Sequence, residues 1–269
     1  MISAEQRGIN GLQPPNASPA IDRAGHASAP AIIAARARFS RGIEKVRHRR
    51  RSTKALIGLD IAALFVDLNG FTQLCTREPP EQIFELVREF RRRITSCVVR
   101  HGGCLDRHFG DGAMAGFGIP TSNGDDASRA LRCAHAMLRQ IRDLDIKHRI
   151  NSRAPVSITI GLQWGHVLMG NVGTGQHPDI VPLGDAVNVA SRLENLGHGL
   201  SATIVAGEDF VEQVRRERGD NPPELEHFEC LGPQPIRGRS APVTVWTLPT
   251  RLVQDIAPRP RHCLPGPAA

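Results

Sequence analysis

The sequence has no tyrosine, and only 4% of its 269 residues are aromatic. Platforms for stacking bases are therefore scarce, which weighs against a single-strand nucleic-acid binder. Long apolar runs are also missing. The longest, around Ile61 to Val66, falls far short of the roughly 20 residues of a membrane helix. No charged-then-apolar signal pattern opens the chain. The expectation is a protein with no membrane span and a cytoplasmic location. The six cysteines are scattered without C-x-x-C spacing, which argues against a zinc ribbon or redox pair and fits reduced thiols. The eleven histidines form no H-E-x-x-H and no pair at ligand spacing.

Charge is present but unevenly placed. The net +7 is carried by residues 1–60, with eleven Lys/Arg against four Asp/Glu, while the rest of the chain has twenty-three of each. A polyanion-binding module would have to reside in the basic stretch 36–54. The plainer reading of that stretch is a solvated linker or short helix, so no nucleic-acid partner is expected. Residues 1–35, rich in Ala, Pro, Gly and Ser, are expected to be disordered. The Pro-rich segment 250–269 is expected to be a second disordered tail. The stretch 55–249 remains as one folded domain, and its 40% hydrophobic and 23% charged composition overall suits a globular protein.

Within that domain strand and helix signals alternate. Ile61 to Asp67 is an apolar strand ending at the turn Asn69-Gly70. A helix over 79–100 follows, with Ile83, Leu86, Val87, Phe90, Ile94, Cys97 and Val98 on one stripe. Strands at 104–109 and 113–117 flank Asp111-Gly112, a hairpin signal. The pattern then predicts a helix over 125–150, a strand at 156–162, a glycine-rich stretch (Gly165, Gly170, Gly173, Gly175) read as a turn from Gly170 to Gly175, and a strand at 180–183. It continues with a helix at 185–196, a strand at 202–205, a helix at 208–216 and a closing hairpin of 228–231 with 243–248. The fold class is α+β: a ferredoxin-like βαββαβ core with added C-terminal strands and helices.

Four groups of residues bear chemistry. Asp67 and Asp111 end neighbouring strands, where converging carboxylates suit a hard divalent ion, although each alone is ordinary turn chemistry. Gly70-Phe71-Thr72 offers successive backbone N–H groups to an anion, or is a plain strand-to-helix connection. Asn188 and Arg192 share a helix face at i and i+4, suited to a ribose edge and a phosphoryl oxygen, or simply solvated. Pro235-Ile-Arg-Gly-Arg239 is a basic loop able to grip a polyphosphate, or a basic turn.

As an ordered set these motifs resemble the class III adenylate/guanylate cyclase catalytic domain. The matching pieces are Phe39-Ser40, Leu64-Phe-Val-Asp-Leu-Asn-Gly-Phe-Thr72, Phe109-Gly-Asp-Gly-Ala-Met-Ala-Gly-Phe117, Ile160-Gly-Leu, Gly170-Asn-Val-Gly173, Gly184-Asp-Ala-Val-Asn-Val-Ala-Ser-Arg-Leu193 and Ile236-Arg-Gly-Arg239. The resemblance implies an enzyme that converts ATP to 3′,5′-cyclic AMP and pyrophosphate at sites shared across a homodimer. It implies two Mg²⁺ or Mn²⁺ per site, held by Asp67, Asp111 and the Leu68 carbonyl, with Phe71 and Thr72 N–H groups on the phosphates. From the partner chain Asn188 would orient the ribose, Arg192 would stabilise the α-phosphate and Arg237 would hold the triphosphate.

Three positions depart from the family pattern. The base-reading Lys is Arg107, the adenine-accepting Asp or Thr is Val181, and a phosphate-assisting Arg is Thr159. The alternatives are a nucleotide-binding regulatory domain with weak or no turnover, and a guanylate cyclase.

Overall fold

The computed structural model describes residues 56–149, 155–173 and 179–252. The expected tail 1–35, the basic stretch 36–54, Phe39-Ser40 and Gly175 lie outside them. Eight strands form one sheet: β1 (Ile57–Leu68), β2 (Cys104–Phe109), β3 (Gly112–Phe117), β4 (Ile158–Asn171), β5 (Ile180–Leu183), β6 (Ala202–Gly207), β7 (Glu229–Gln234) and β8 (Val243–Pro249). The order is β2-β3-β1-β4-β6-β8-β7, with β5 paired to β4. Five helices complete it: α1 (Phe71–Arg77), α2 (Pro80–Arg100), α3 (Asp126–Arg149), α4 (Asp185–Leu200) and α5 (Glu208–Arg218). Among them no helix is long and apolar enough to cross a membrane.

The ferredoxin-like core is the unit β1-α2-β2-β3-α3-β4, with α1 inserted before α2. Its strands lie in the order β2-β3-β1-β4, every neighbour antiparallel. The parallel pairing of β4 with β6, across the α4 crossover, extends the sheet to the C-terminal hairpin.

Alternation along β1 divides its side chains between two layers. Ala62, Leu64, Val66 and Leu68 face α2 and α3, where Phe90, Ile94, Leu131 and Met137 are fully or almost fully buried. Ile61 and Ala63 face α4 and pack on Ala186 and Ala190. Asp67 has the same parity as Ile61, Ala63 and Phe65, so it lies on the α4 side of the sheet.

Three differences from the sequence pattern have physical causes. The strand expected at 156–162 continues to Asn171, straight through Gly165 and Gly170. Those glycines mark close approach rather than a turn: a Cβ at Gly165 would lie 3.1 Å from Ala186 Cβ, and one at Gly170 2.7 Å from Leu56 Cδ2. Helix α1 has only Leu74 buried, so it left no apolar stripe to detect. At the C-terminal end, the first three residues of the tail expected over 250–269 belong to the described fold, and the rest lie outside it. Thr250–Leu252 form a 3₁₀ turn, where Thr250 N–H and Oγ1 both donate to Ser201 O.

Candidate active site

Asp67 and Asp111 reach one another through the β1–β3 register. Asp67 pairs with Gly112, the residue after Asp111, and Leu68 N–H donates to Asp111 O at 3.3 Å. Gly112 leaves room for the Asp67 carboxylate, because a Cβ there would lie 2.7 Å from Asp67 Oδ1 and 3.1 Å from Val66 O. Burial, and then the charge of Asp111, push the Asp67 carboxyl up to about 6. A partly buried Asp67 carboxylate facing the charge of Asp111 is a donor set a divalent cation would relieve, so the residues present fit such an ion.

The turn after Asp67 is fixed by Ser157, just before β4, and by Thr159 within it. Asn69 N–H donates to Ser157 O at 2.9 Å, Asn69 Nδ2 to Ser157 Oγ at 3.0 Å, and Thr159 Oγ1 to Asn69 Oδ1 at 2.8 Å. Thr159 is thus a buried support for the turn. Gly70 then takes φ +69°, in the left-handed region that favours glycine, and caps α1. The helix's own ladder begins with Leu74 N–H on Gly70 O, so the amides of Phe71 and Thr72 open its N-terminus.

The second carboxylate has a support that sequence reasoning missed. Arg91 of α2 donates from Nη2 to Gly110 O at 2.6 Å, in the hairpin turn that carries Asp111. Arg91 follows Phe90 on an amphipathic helix, so nothing in its spacing separates it from a solvated arginine.

Helix α4 presents two working stripes. Its inner stripe lies on β4, with Ala190, Glu194 and Gly197 buried. Its outer stripe carries the exposed Asn188 and half-buried Arg192. Arg192 and Asn195 line a cleft of about 550 Å³ with Leu196, Pro235, Ile236 and Arg237. Buried Ile236 anchors that loop against Val189 and Leu193. Gly238 turns it at φ +77°, where a Cβ would lie 3.2 Å from Arg192 Nη1 and Nη2. Arg239 closes the loop with an ion pair to Asp185. Arg192 and Arg237 therefore meet in one cleft. The groups acting on the Asp67 carboxyl are instead Asp111, His198 and the Leu68 amide.

Glu194 and His198 also escaped the sequence reading, which set the histidines aside as ligands. Both stand beside Asp67, with His198 Nε2 3.0 Å from Glu194 Oε1. Burial first, and Asp67 second, raise the Glu194 carboxyl above its ordinary range.

Arg107 lies beyond a register shift in β2 and is held by neighbours. Its Nη2 donates to Asp179 Oδ1 at 3.0 Å and Oδ2 at 3.2 Å, its Nε lies 3.3 Å from Asp106 Oδ2, and its guanidinium sits over Phe109. Asp179 directly precedes β5, where Val181 pairs with Gly170. The structure thus brings Arg107 to the start of the strand that carries Val181.

The sequence model of the Adenylate and Guanylate cyclase catalytic domain matches residues 59–248. Adenylate cyclase 1 of Rhizobium meliloti (strain 1021) is 25% identical over 187 residues, covering 70% of this chain and 27% of that protein. An adenylate cyclase of Anabaena cylindrica is 30% identical over 174 residues, covering 64% of this chain and 33% of that protein. The chain thus spans a third or less of these relatives' length. Among solved structures, the adenylyl cyclase CyaB from P. aeruginosa superposes with a TM-score of 0.63 at 24% identity, over 72% of this chain and 95% of that one. The guanylyl cyclase Cya2 gives 0.62 at 27% identity, over 72% and 93%. With a match running through nearly all of the described fold, the chain belongs to the adenylate and guanylate cyclase catalytic domain family.

Proposed function

We propose that the chain is an adenylate cyclase, converting ATP to 3′,5′-cyclic AMP and pyrophosphate at sites completed by a second copy of itself. The observation that carries the reading is the division of charge. Carboxylates converge at the β1–β3 edge, while Arg192 and Arg237 converge in a cleft on the outer side of α4. A nucleotide triphosphate needs both sets, and in a two-fold dimer each site draws one set from each chain.

Asp67, Asp111 and the Leu68 carbonyl would hold two Mg²⁺ or Mn²⁺, which when bound favour deprotonation of the ribose 3′-hydroxyl and neutralise phosphate charge. The amides of Phe71 and Thr72 hold phosphate oxygens at the α1 N-terminus. The partner's outer stripe works on the other side. Its Asn188 orients the ribose so that the 3′-oxygen lies in line with the α-phosphorus. Its Arg192 takes up charge that grows on the α-phosphoryl oxygens, and its Arg237 grips the triphosphate as pyrophosphate leaves. Arg107 and Val181 form the wall that meets the base. The relatives named adenylate cyclase support ATP as the substrate.

A second reading, a nucleotide-binding domain with weak turnover, draws on Arg107. A guanidinium whose Nη2 is turned to Asp179 is held toward its own chain and not free to follow a base as a Lys would be. One assay separates the readings. Purified protein with Mn²⁺ and either ATP or GTP is expected to release pyrophosphate and cyclic AMP from ATP. Nucleotide binding without pyrophosphate release would favour the second reading, and cyclic GMP as the main product would reassign the substrate.

A further inference from the structure

Helix α4 sits unusually deep on β4. A Cβ at Gly161 would lie 2.1 Å from Ala190 O, 2.5 Å from Glu194 N and 2.8 Å from Glu194 Cβ. One at Gly197 would lie 2.5 Å from Thr159 Cγ2 and 3.0 Å from Val205 Cγ2. Two glycines, one on each side of the contact, thus remove the side chains that would hold helix and strand apart. Because β1 is the neighbour of β4, this close approach delivers Glu194 and His198 to Asp67. One ligand atom from each of the three lies within 4.8 Å of the others.

The donor set differs from an all-oxygen site. Mg²⁺ demands near-octahedral oxygen coordination and sheds water reluctantly. An imidazole beside two carboxylates suits Zn²⁺, which takes three protein ligands and leaves a fourth position for water. Glu194 is 6% exposed and fixed by packing, whereas the His198 side chain is 41% exposed and opens the cluster to solvent. Ion entry therefore needs no movement of the core.

We propose that Asp67, Glu194 and His198 form a Zn²⁺ site within a single chain, distinct in ligands from the Asp67–Asp111 pair and competing with it for Asp67. The site shares that carboxylate with the proposed nucleotide site but does not depend on turnover. A Zn²⁺ held there withdraws Asp67 from the β1–β3 pair, so Zn²⁺ acts as an inhibitor of any activity that pair supports.

The test is Zn²⁺ binding to the full chain by calorimetry, with Co²⁺ absorption as a report on four-coordinate geometry. His198→Ala is expected to weaken Zn²⁺ binding by about tenfold or more and to remove the intense visible Co²⁺ bands. Arg192→Ala, on the outer stripe, is expected to leave both unchanged. Circular dichroism and thermal unfolding check that each variant folds, and Glu194→Gln gives an independent second loss. Zn²⁺ binding that ignores both His198→Ala and Glu194→Gln overturns the proposal, as does displacement of Zn²⁺ by an equal concentration of Mg²⁺. A protein that makes no cyclic nucleotide yet binds Zn²⁺ through His198 upholds this site and refutes the cyclase reading. An active cyclase without His198-dependent binding does the reverse.

Discussion

The two stripes of α4 differ in burial and in the charges they face. The inner stripe is buried, nearly bare of side chains where it meets β4, and faces the carboxylates of its own chain. The outer stripe carries Asn188 and Arg192 and opens on the cleft with Arg237. Glu194 and Arg192, two residues apart on opposite faces of the helix, thus separate an acidic environment from a basic one. On the proposed function the difference teaches why a second copy would be needed: α4 lies between its own carboxylates and its own arginines.

The largest effects should come from removing one member of each side. Asp67→Ala and Arg192→Ala are each expected to lower turnover by about 10³-fold or more, in line with loss of a transition-state charge contact. Only Asp67→Ala should also abolish Mn²⁺ binding, measured by electron paramagnetic resonance. Loss of Mn²⁺ binding in Arg192→Ala as well would merge the two stripes into one site.

Next comes the contact that seats the inner stripe. Gly161→Ala would place a methyl group against backbone atoms of α4. It is expected to destabilise the fold by about 3 kcal/mol, seen as a lower thermal midpoint. A variant as stable as wild type would mean that α4 does not sit so deep.

The inner stripe also predicts a pH dependence in the chelator-treated protein. The Asp67 carboxyl is raised in the folded state, to about 6, so its contribution is fully present below its ordinary value near 3.8 and is lost as pH rises through 6. Since Asp67 is half-exposed, the loss between pH 4 and 7 is discounted for solvent screening to about 1–2 kcal/mol. Denaturant unfolding in chelator at the two pH values measures it. Asp67→Asn should flatten that part of the profile.

The smallest effect expected concerns Arg91. Arg91→Ala frees the turn that carries Asp111 and should weaken Mn²⁺ binding by about tenfold, as loss of an outer support does. Thermal stability should change little. An equal loss in Arg91→Lys would show that the bond to Gly110 O needs the guanidinium fork.

Much of this arrangement was legible in the sequence. The apolar run into Asp67 and the Asp111-Gly112 turn were enough to place two carboxylates on adjacent strands. The i, i+4 spacing of Asn188 and Arg192 gave the outer stripe of α4. What stayed hidden depends on tertiary approach. Gly165 reads as the start of a glycine-rich stretch and Gly170 as a turn residue, because a glycine that admits a neighbouring helix or side chain looks the same in sequence as one that bends a chain. Glu194 falls within the predicted helix and His198 beyond its predicted end, and neither stands out, because only Gly161 and Gly197 together bring them to Asp67. The bond from Arg91 to Gly110 joins elements whose contact leaves no periodic trace.

Mixing Asp67→Ala with Arg192→Ala tests the central claim most directly. Each variant alone should be nearly inactive. In a freely exchanging equal mixture, half of the dimers pair the two variants, and each of those holds one intact site. Turnover should therefore recover to about a quarter of wild type. A mixture as inactive as its components, with heterodimers verified, would contradict an active site divided between chains by the two stripes of α4.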